Sequence, residues 1–189
     1  MEPDDYLLLA RISVGDEAAL QELYLRYLPR LRRYLWYELS GDHQAVEDVL
    51  QDIFVAVWRG ATGFRGEAKI ATWIFQIAYY SALHARRAMP LGHGTADSLP
   101  DDDDARATGA VQPPADDAIL DRLVFADAVQ QLSDKHQAVL RLIFAEGFAL
   151  DEVARILNVP HGTVKSRLSY ARRALLRALT TSDTEATHL

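Results

Sequence analysis

Residues 89–117 constrain this chain more than any other stretch, because they divide it into two lengths that must each fold separately. The segment holds Pro90, Gly92, Gly94, Pro100, four consecutive aspartates at 101–104, Gly109, Pro113 and Pro114. Seven acidic residues and one basic residue lie within 89–118. So little apolar surface cannot offset the entropy of ordering a backbone, and the composition predicts a floppy acidic tether. The expected units are therefore 1–88 and 119–180, joined by linker 89–118, with 181–189 as a disordered tail.

Both units carry helical periodicity. Leu7, Leu8 and Ile12 predict a short opening helix that Gly15 and Asp16 interrupt. Leu20, Leu23, Tyr24, Tyr27, Leu31, Tyr34 and Leu35 then recur at steps of three and four, with a kink expected at Pro29. Val46, Val49, Leu50, Ile53, Phe54, Val57 and Trp58 form one apolar stripe, the clearest helix in the chain. Three glycines within 60–66 mark a loop. Ile70, Trp73, Ile74, Ile77 and Ala78 open another amphipathic helix running to about Arg87. Trp73 shares that apolar stripe, so it is read as a core residue. Beyond the tether, helices are expected at about 119–132, 134–146, 150–157 and 161–179. Ser133 would cap the second of these and Gly147 would follow it. No strand pairing is apparent, so the fold class is all-α, two helical bundles.

Segment 150–168 has the spacing of a helix-turn-helix. Ala154 is small where two helices would touch. Asn158 tolerates the left-handed turn. Pro160 and Gly162 suit a helix start, and Val164 is apolar where the second helix would face the first. On that second helix Val164, Leu168, Ala171 and Leu175 can pack inward. Lys165, Ser166, Arg167, Ser169, Arg172 and Arg173 remain outside, a face able to enter a major groove. A charged helix face alone is commonly just solvated. Here, however, six basic residues and no acidic one lie between Arg155 and Thr180. A basic stripe of this kind binds phosphate locally even though the net charge is −7.

Other classes are disfavoured by what the sequence omits. There is no cysteine, which excludes disulfides, thiolate metal sites and cysteine nucleophiles. No apolar run reaches the ~20 residues that span a bilayer. The acidic start, Met1-Glu2-Pro3-Asp4-Asp5, is unlike a secretory leader. A cytoplasmic protein without membrane insertion is expected. The six histidines are scattered at 43, 84, 93, 136, 161 and 188. No nucleophile motif or phosphate loop accompanies them. The expectation is no enzyme, no cofactor, no metal and no small-molecule substrate.

Two stretches together resemble one family. Residues 43–59, the Phe64-Arg65-Gly66 loop and residues 71–78 resemble region 2 of the extracytoplasmic-function (group 4) sigma factors of the sigma-70 family. Residues 125–178, above all the run from Val159 to Arg172, resemble region 4. The resemblance covers nearly everything but the linker and both tips. It implies a transcription initiation factor that binds core RNA polymerase, at the β′ clamp helices and the β flap, and promoter DNA. The clamp helices would meet Asp48, Gln51, Asp52 and Val55, an acidic and amide face suited to arginine-bearing partners. Read alone, such a face is an ordinary solvated one.

The melted −10 strand would meet Phe64, Lys69, Thr72, Gln76, Tyr79, Tyr80, Arg86 and Arg87, aromatic and basic groups of the kind that hold unstacked bases and phosphates. Loop 64–68 would help form a pocket for one flipped base. The −35 duplex would meet His161, Thr163, Lys165, Ser166, Arg167, Ser169, Arg172 and Arg173. Family members often carry Arg-Asn where this chain has Tyr79-Tyr80, and Asp near His84, so base preference at the −10 element does not carry over. The aspartates at 101–104 are read as a solubilising spacer or, more sharply, as phosphate mimics in the RNA path of polymerase. An anti-sigma factor is also implied, able to hold the protein near a membrane. The rival readings are a stand-alone helix-turn-helix regulator and a sigma mimic that titrates an anti-sigma protein.

Overall fold

The computed structural model describes residues 2–88, 129 and 131–186. The linker, residues 187–189 and almost all of the helix expected at 119–132 lie outside them, whereas 181–186, expected as a disordered tail, continue the last helix. Among the described residues every regular element is helical. Contacts sort the helices into two compact units: the first four helices together with Asp151–Asn158, and the rest of the described C-terminal elements.

In the first unit α1 spans Glu2–Ser13 and α2 spans Glu17–Glu38. Gly15, at φ +91°, closes α1. Asp16 then caps α2, accepting from the Ala19 N–H at 3.1 Å. That bond, and next the Arg11 side chain, hold the Asp16 carboxyl below its ordinary range. α2 runs unbroken through Pro29. Pro29 sits on the exposed face, where water can satisfy the carbonyl that loses its partner. Ser40 and Gly41 turn the chain with positive φ, and Asp42 caps α3, His43–Gly60. A short 3₁₀ turn, Ala61–Gly63, and a loop lead into α4, Ile70–Ala88.

The core of this unit is the meeting of helical stripes. α2 contributes Leu23, Tyr27, Leu31, Tyr34 and Leu35; α3 contributes Val46, Val49, Leu50, Ile53, Phe54 and Val57; all are buried. Each fully buried side chain of this size contributes about 1.5–3 kcal/mol. Truncating a central one, Ile53→Ala, would cost about 2–5 kcal/mol. Aromatic edges lock the helices together: Tyr34 meets Phe75 at 5.4 Å and Tyr24 meets Phe54 at 4.8 Å between ring centroids. The buried stripe of α4 is Ile70, Ile74, Phe75, Ala78 and Ala82. Trp73 and Ile77 are only half-buried, a departure from the expected stripe. α4 is apolar nearly all round, so periodicity alone misplaced its inward face by about one residue. On α1 the buried apolar residues are Leu8, Leu9 and Ile12, while Leu7 is exposed.

In the second unit α5 spans Asp134–Leu140, with Ser133 at its N-cap. The Ser133 hydroxyl pairs with Nδ1 of His136 at 2.7 Å rather than with a backbone N–H. The helix expected over 134–146 widens to a π-helical turn over Arg141–Ala145, which buries Leu142 and leaves Phe144 60% exposed. Gly147, at φ +76°, ends it as expected. The last helix, α7, spans His161–Ala186 and buries Val164, Leu168, Ala171 and Leu175, the inward set that the sequence indicates. His136 stacks on Tyr170 at 4.4 Å, tying α5 to α7. Between the π turn and α7 in sequence comes α6, Leu150–Leu157, which from Asp151 onward sorts with the first unit.

Candidate functional site

Three surfaces hold the residues singled out from the sequence. On α3, Asp48, Gln51, Asp52 and Val55 are all exposed, Val55 by 46%. Their spacing of three, one and three puts them on one face, opposite the buried stripe. Gln44 donates to Asp48 at 2.9 Å, one turn earlier on the same face. The row joins two carboxylates, an amide and an apolar side chain, a combination suited to a partner surface bearing arginines and a small hydrophobic recess.

The second surface is α4 with the loop before it. Gly66 adopts φ +72°, so the loop reverses at a position where other side chains are strained. Phe64 lies against Trp73 at 5.0 Å between centroids. Trp73 in turn passes so close to Gly60 that a Cβ there would come within 2.9 Å of its ring. Trp73 is thus a support for the loop rather than a member of the core.

The polar side chains of α4 are largely engaged by α6. Lys69 Nζ lies 3.2 Å from Glu152 Oε1, and the Thr72 hydroxyl donates to the same oxygen at 3.3 Å. Gln76 Nε2 donates to the Arg155 carbonyl at 3.1 Å, and the Tyr80 hydroxyl to the Leu157 carbonyl at 3.4 Å. Arg155 donates to the Glu67 carbonyl. Thr72, expected to point outward, is therefore only 2% exposed. The other expected residues divide by environment. Tyr79 is half-buried with its ring 5.3 Å from that of Tyr80, and Arg87 is exposed. Arg86 pairs with buried Glu38 at 3.3 Å, so part of its charge neutralises an interior carboxylate.

The third surface is the start of α7. Asn158 adopts φ +53°, the left-handed conformation expected of it, and the Pro160 carbonyl accepts the Thr163 N–H at 3.0 Å. His161, Lys165, Ser166, Arg172 and Arg173 are exposed; Thr163, Arg167 and Ser169 are half-buried. The Arg172 guanidinium lies over the exposed Phe144 ring, 5.6 Å from its centroid. Arg173 reaches back to the Ser169 carbonyl at 3.4 Å.

One residue near the loop escaped the sequence reading. The Tyr6 ring on α1 lies 6.2 Å from that of Phe64, and its hydroxyl donates to the Ala68 carbonyl at 3.4 Å. Tyr6 is distant in sequence and outside both motif stretches; only its place on an amphipathic helix beside buried Leu8 and Leu9 hinted that it faces another element.

Comparison with known proteins fits this layout. The family model described as Sigma-70 region 2 matches residues 23–88, and that described as Sigma-70, region 4 matches 128–177. The ECF RNA polymerase sigma factor SigL of Mycobacterium tuberculosis is 32% identical over 171 residues, covering 88% of this chain and 94% of its own. The ECF RNA polymerase sigma-E factor of Escherichia coli is 27% identical, covering 90% and 92%. Among solved structures, the sigma factor RpoE of Bartonella quintana, in complex with the anti-sigma factor NepR, is 29% identical with a TM-score of 0.57, covering 85% of this chain and 96% of that one. CnrH, solved with the cytosolic domain of CnrY, shares the fold at a TM-score of 0.66 and 21% identity, covering 94% and 97%. A region 2 followed by a region 4 defines a sigma-70-type transcription initiation factor. Within that class, this chain belongs to the extracytoplasmic-function RNA polymerase sigma factors.

Proposed function

We propose that the protein brings core RNA polymerase to its promoters by assigning polymerase and DNA to different helices. The α3 row of Asp48, Gln51, Asp52 and Val55 docks on the β′ clamp helices. Loop 64–68 and α4 hold the melted −10 strand, with Phe64 beside a flipped base and Lys69, Gln76, Tyr79, Tyr80, Arg86 and Arg87 along the bases and phosphates. Thr72 enters only once Glu152 withdraws. The α7 residues from His161 to Arg173 read the −35 duplex, and the second unit docks on the β flap. The protein works in the cytoplasm without catalysing a reaction of its own. An anti-sigma factor controls it, a reading supported by the complex of its relative RpoE with NepR.

The observation that carries this reading is the pairing of an exposed acidic row on α3 with an acid-free basic row over residues 161–180 of α7. Each module alone would bind weakly and with strong salt dependence, and tethering both to polymerase raises their effective concentration. The test is run-off transcription with purified core polymerase on a genomic promoter library. Transcripts that require added protein are the expected result. Tight, specific promoter binding by the isolated chain, with no gain on adding core, would overturn it.

A further inference from the structure

The first helix reaches the loop that the proposed −10 reading makes a base pocket, and does so through a built anchor. Asp5, only 3% exposed, accepts from the Arg26 guanidinium and, at 2.7 Å, from the Tyr27 hydroxyl. Both donors lie on α2, and both are bonded to the carboxylate through separate oxygens. An isolated buried carboxylate is costly, so this arrangement fixes the N-terminal turn of α1 in one place. Leu8, Leu9 and Ile12 bury the rest of the helix's inner face. The next residue after the anchor is Tyr6. It is 41% exposed, so burial of its own ring does not explain its position. Its hydroxyl meets the Ala68 carbonyl at one end of the loop, and its ring meets Phe64 at the other. The Phe64 ring also meets that of Trp73, 5.0 Å away between centroids.

We infer that Tyr6 is a positioning residue for −10 base capture: anchored by Asp5, Arg26 and Tyr27, it sets the Phe64 ring and the Ala68 carbonyl so that loop 64–68 holds its pocket before DNA arrives. This rests on the reading of loop 64–68 as a base pocket. Pre-setting the loop removes an ordering cost that would otherwise be met on binding. Contact with both the Tyr6 and Trp73 rings also limits the rotamers open to Phe64.

The test uses reconstituted holoenzyme and promoter DNA already unpaired across the −10 element, in a series with each −10 base in turn replaced by an abasic site. Three variants are compared with the parent: Tyr6→Ala, Tyr6→Phe and Phe64→Ala. Stacking on aromatic side chains gives the scale. Tyr6→Ala is expected to weaken binding about tenfold on intact DNA. That loss should vanish when the one position read by the pocket is abasic, and persist at the others. Tyr6→Phe, which keeps the ring and loses the Ala68 bond, should lose only about twofold. Phe64→Ala should show the same position dependence. Equal loss by Tyr6→Ala on every template, abasic ones included, overturns the inference, since that is what a general structural role gives. Parent-like binding by Tyr6→Ala, with Phe64→Ala still position-dependent, overturns the inference and leaves the base pocket standing. Absence of any position dependence in Phe64→Ala overturns the pocket and the inference with it.

Discussion

The α3 and α4 faces stand on consecutive helices of one unit, yet they are built in opposite ways. The α3 row is exposed, and its Asp48 accepts from Gln44 on the same helix. The α4 face is already satisfied: Glu152 and the carbonyls of Arg155 and Leu157 occupy Lys69, Thr72, Gln76 and Tyr80. A docking face for a protein can stay open because water satisfies carboxylates cheaply. A face of aromatic rings and polar donors, the proposed seat of a melted strand, gains from cover when no strand is present. Under the proposed assignment, polymerase would be gripped at once, whereas strand binding would first have to displace the α6 groups from Lys69, Thr72, Gln76 and Tyr80.

The largest effect that could break this comparison is on α3. Reversing both acids, Asp48→Arg with Asp52→Arg, is expected to weaken core binding about a hundredfold, measured with labelled protein. The melting temperature should stay within a few degrees, because both residues are exposed. A comparable loss of melting temperature would show that the row serves the fold. Next in size is Asp5→Asn, expected to destabilise by about 2–3 kcal/mol because Arg26 is left beside a neutral partner. Chemical denaturation would measure it. Core affinity of the folded fraction should be unchanged, since the anchor joins α1 to α2 and includes no residue of the α3 row.

A smaller change sharpens the α4 half. Glu152→Gln removes the charge facing Lys69, and single-stranded −10 DNA should then bind the free chain about threefold better. Binding no tighter than the parent would mean that α6 places no restraint on that face. The smallest effect is alkaline. Burial first, and then the bond to Asp5, raise the Tyr27 hydroxyl well above its ordinary value. A pKa raised in the folded state gives stability that is complete below about pH 10, the value in the unfolded chain. That stability is lost as pH climbs above 10, by at most about 1.4 kcal/mol per pH unit. Tyr27→Phe should flatten this part of a melting-temperature profile, and an unchanged profile would remove Tyr27 as its source.

Much of this was legible in the residues. The stripe from Val46 to Val57, the left-handed Asn158 and the inward set of Val164, Leu168, Ala171 and Leu175 all follow from spacing, because amphipathic helices with one clear apolar face have one way to pack. Legibility failed where a helix lacks such contrast. α4 is apolar on several sides, so Trp73 was taken for core and Thr72 for surface. The partners of Thr72, Tyr6 and Arg86 lie 80, 62 and 48 residues away, and no local pattern foretells pairs of that separation.

Photocrosslinking from single positions in the open promoter complex would decide whether the labour is divided as described. A crosslinker at Val55 should capture β′, one at Tyr79 the unpaired −10 strand, and one at Arg172 the −35 duplex. Capture of DNA from Val55, or of protein alone from both Tyr79 and Arg172, would contradict it.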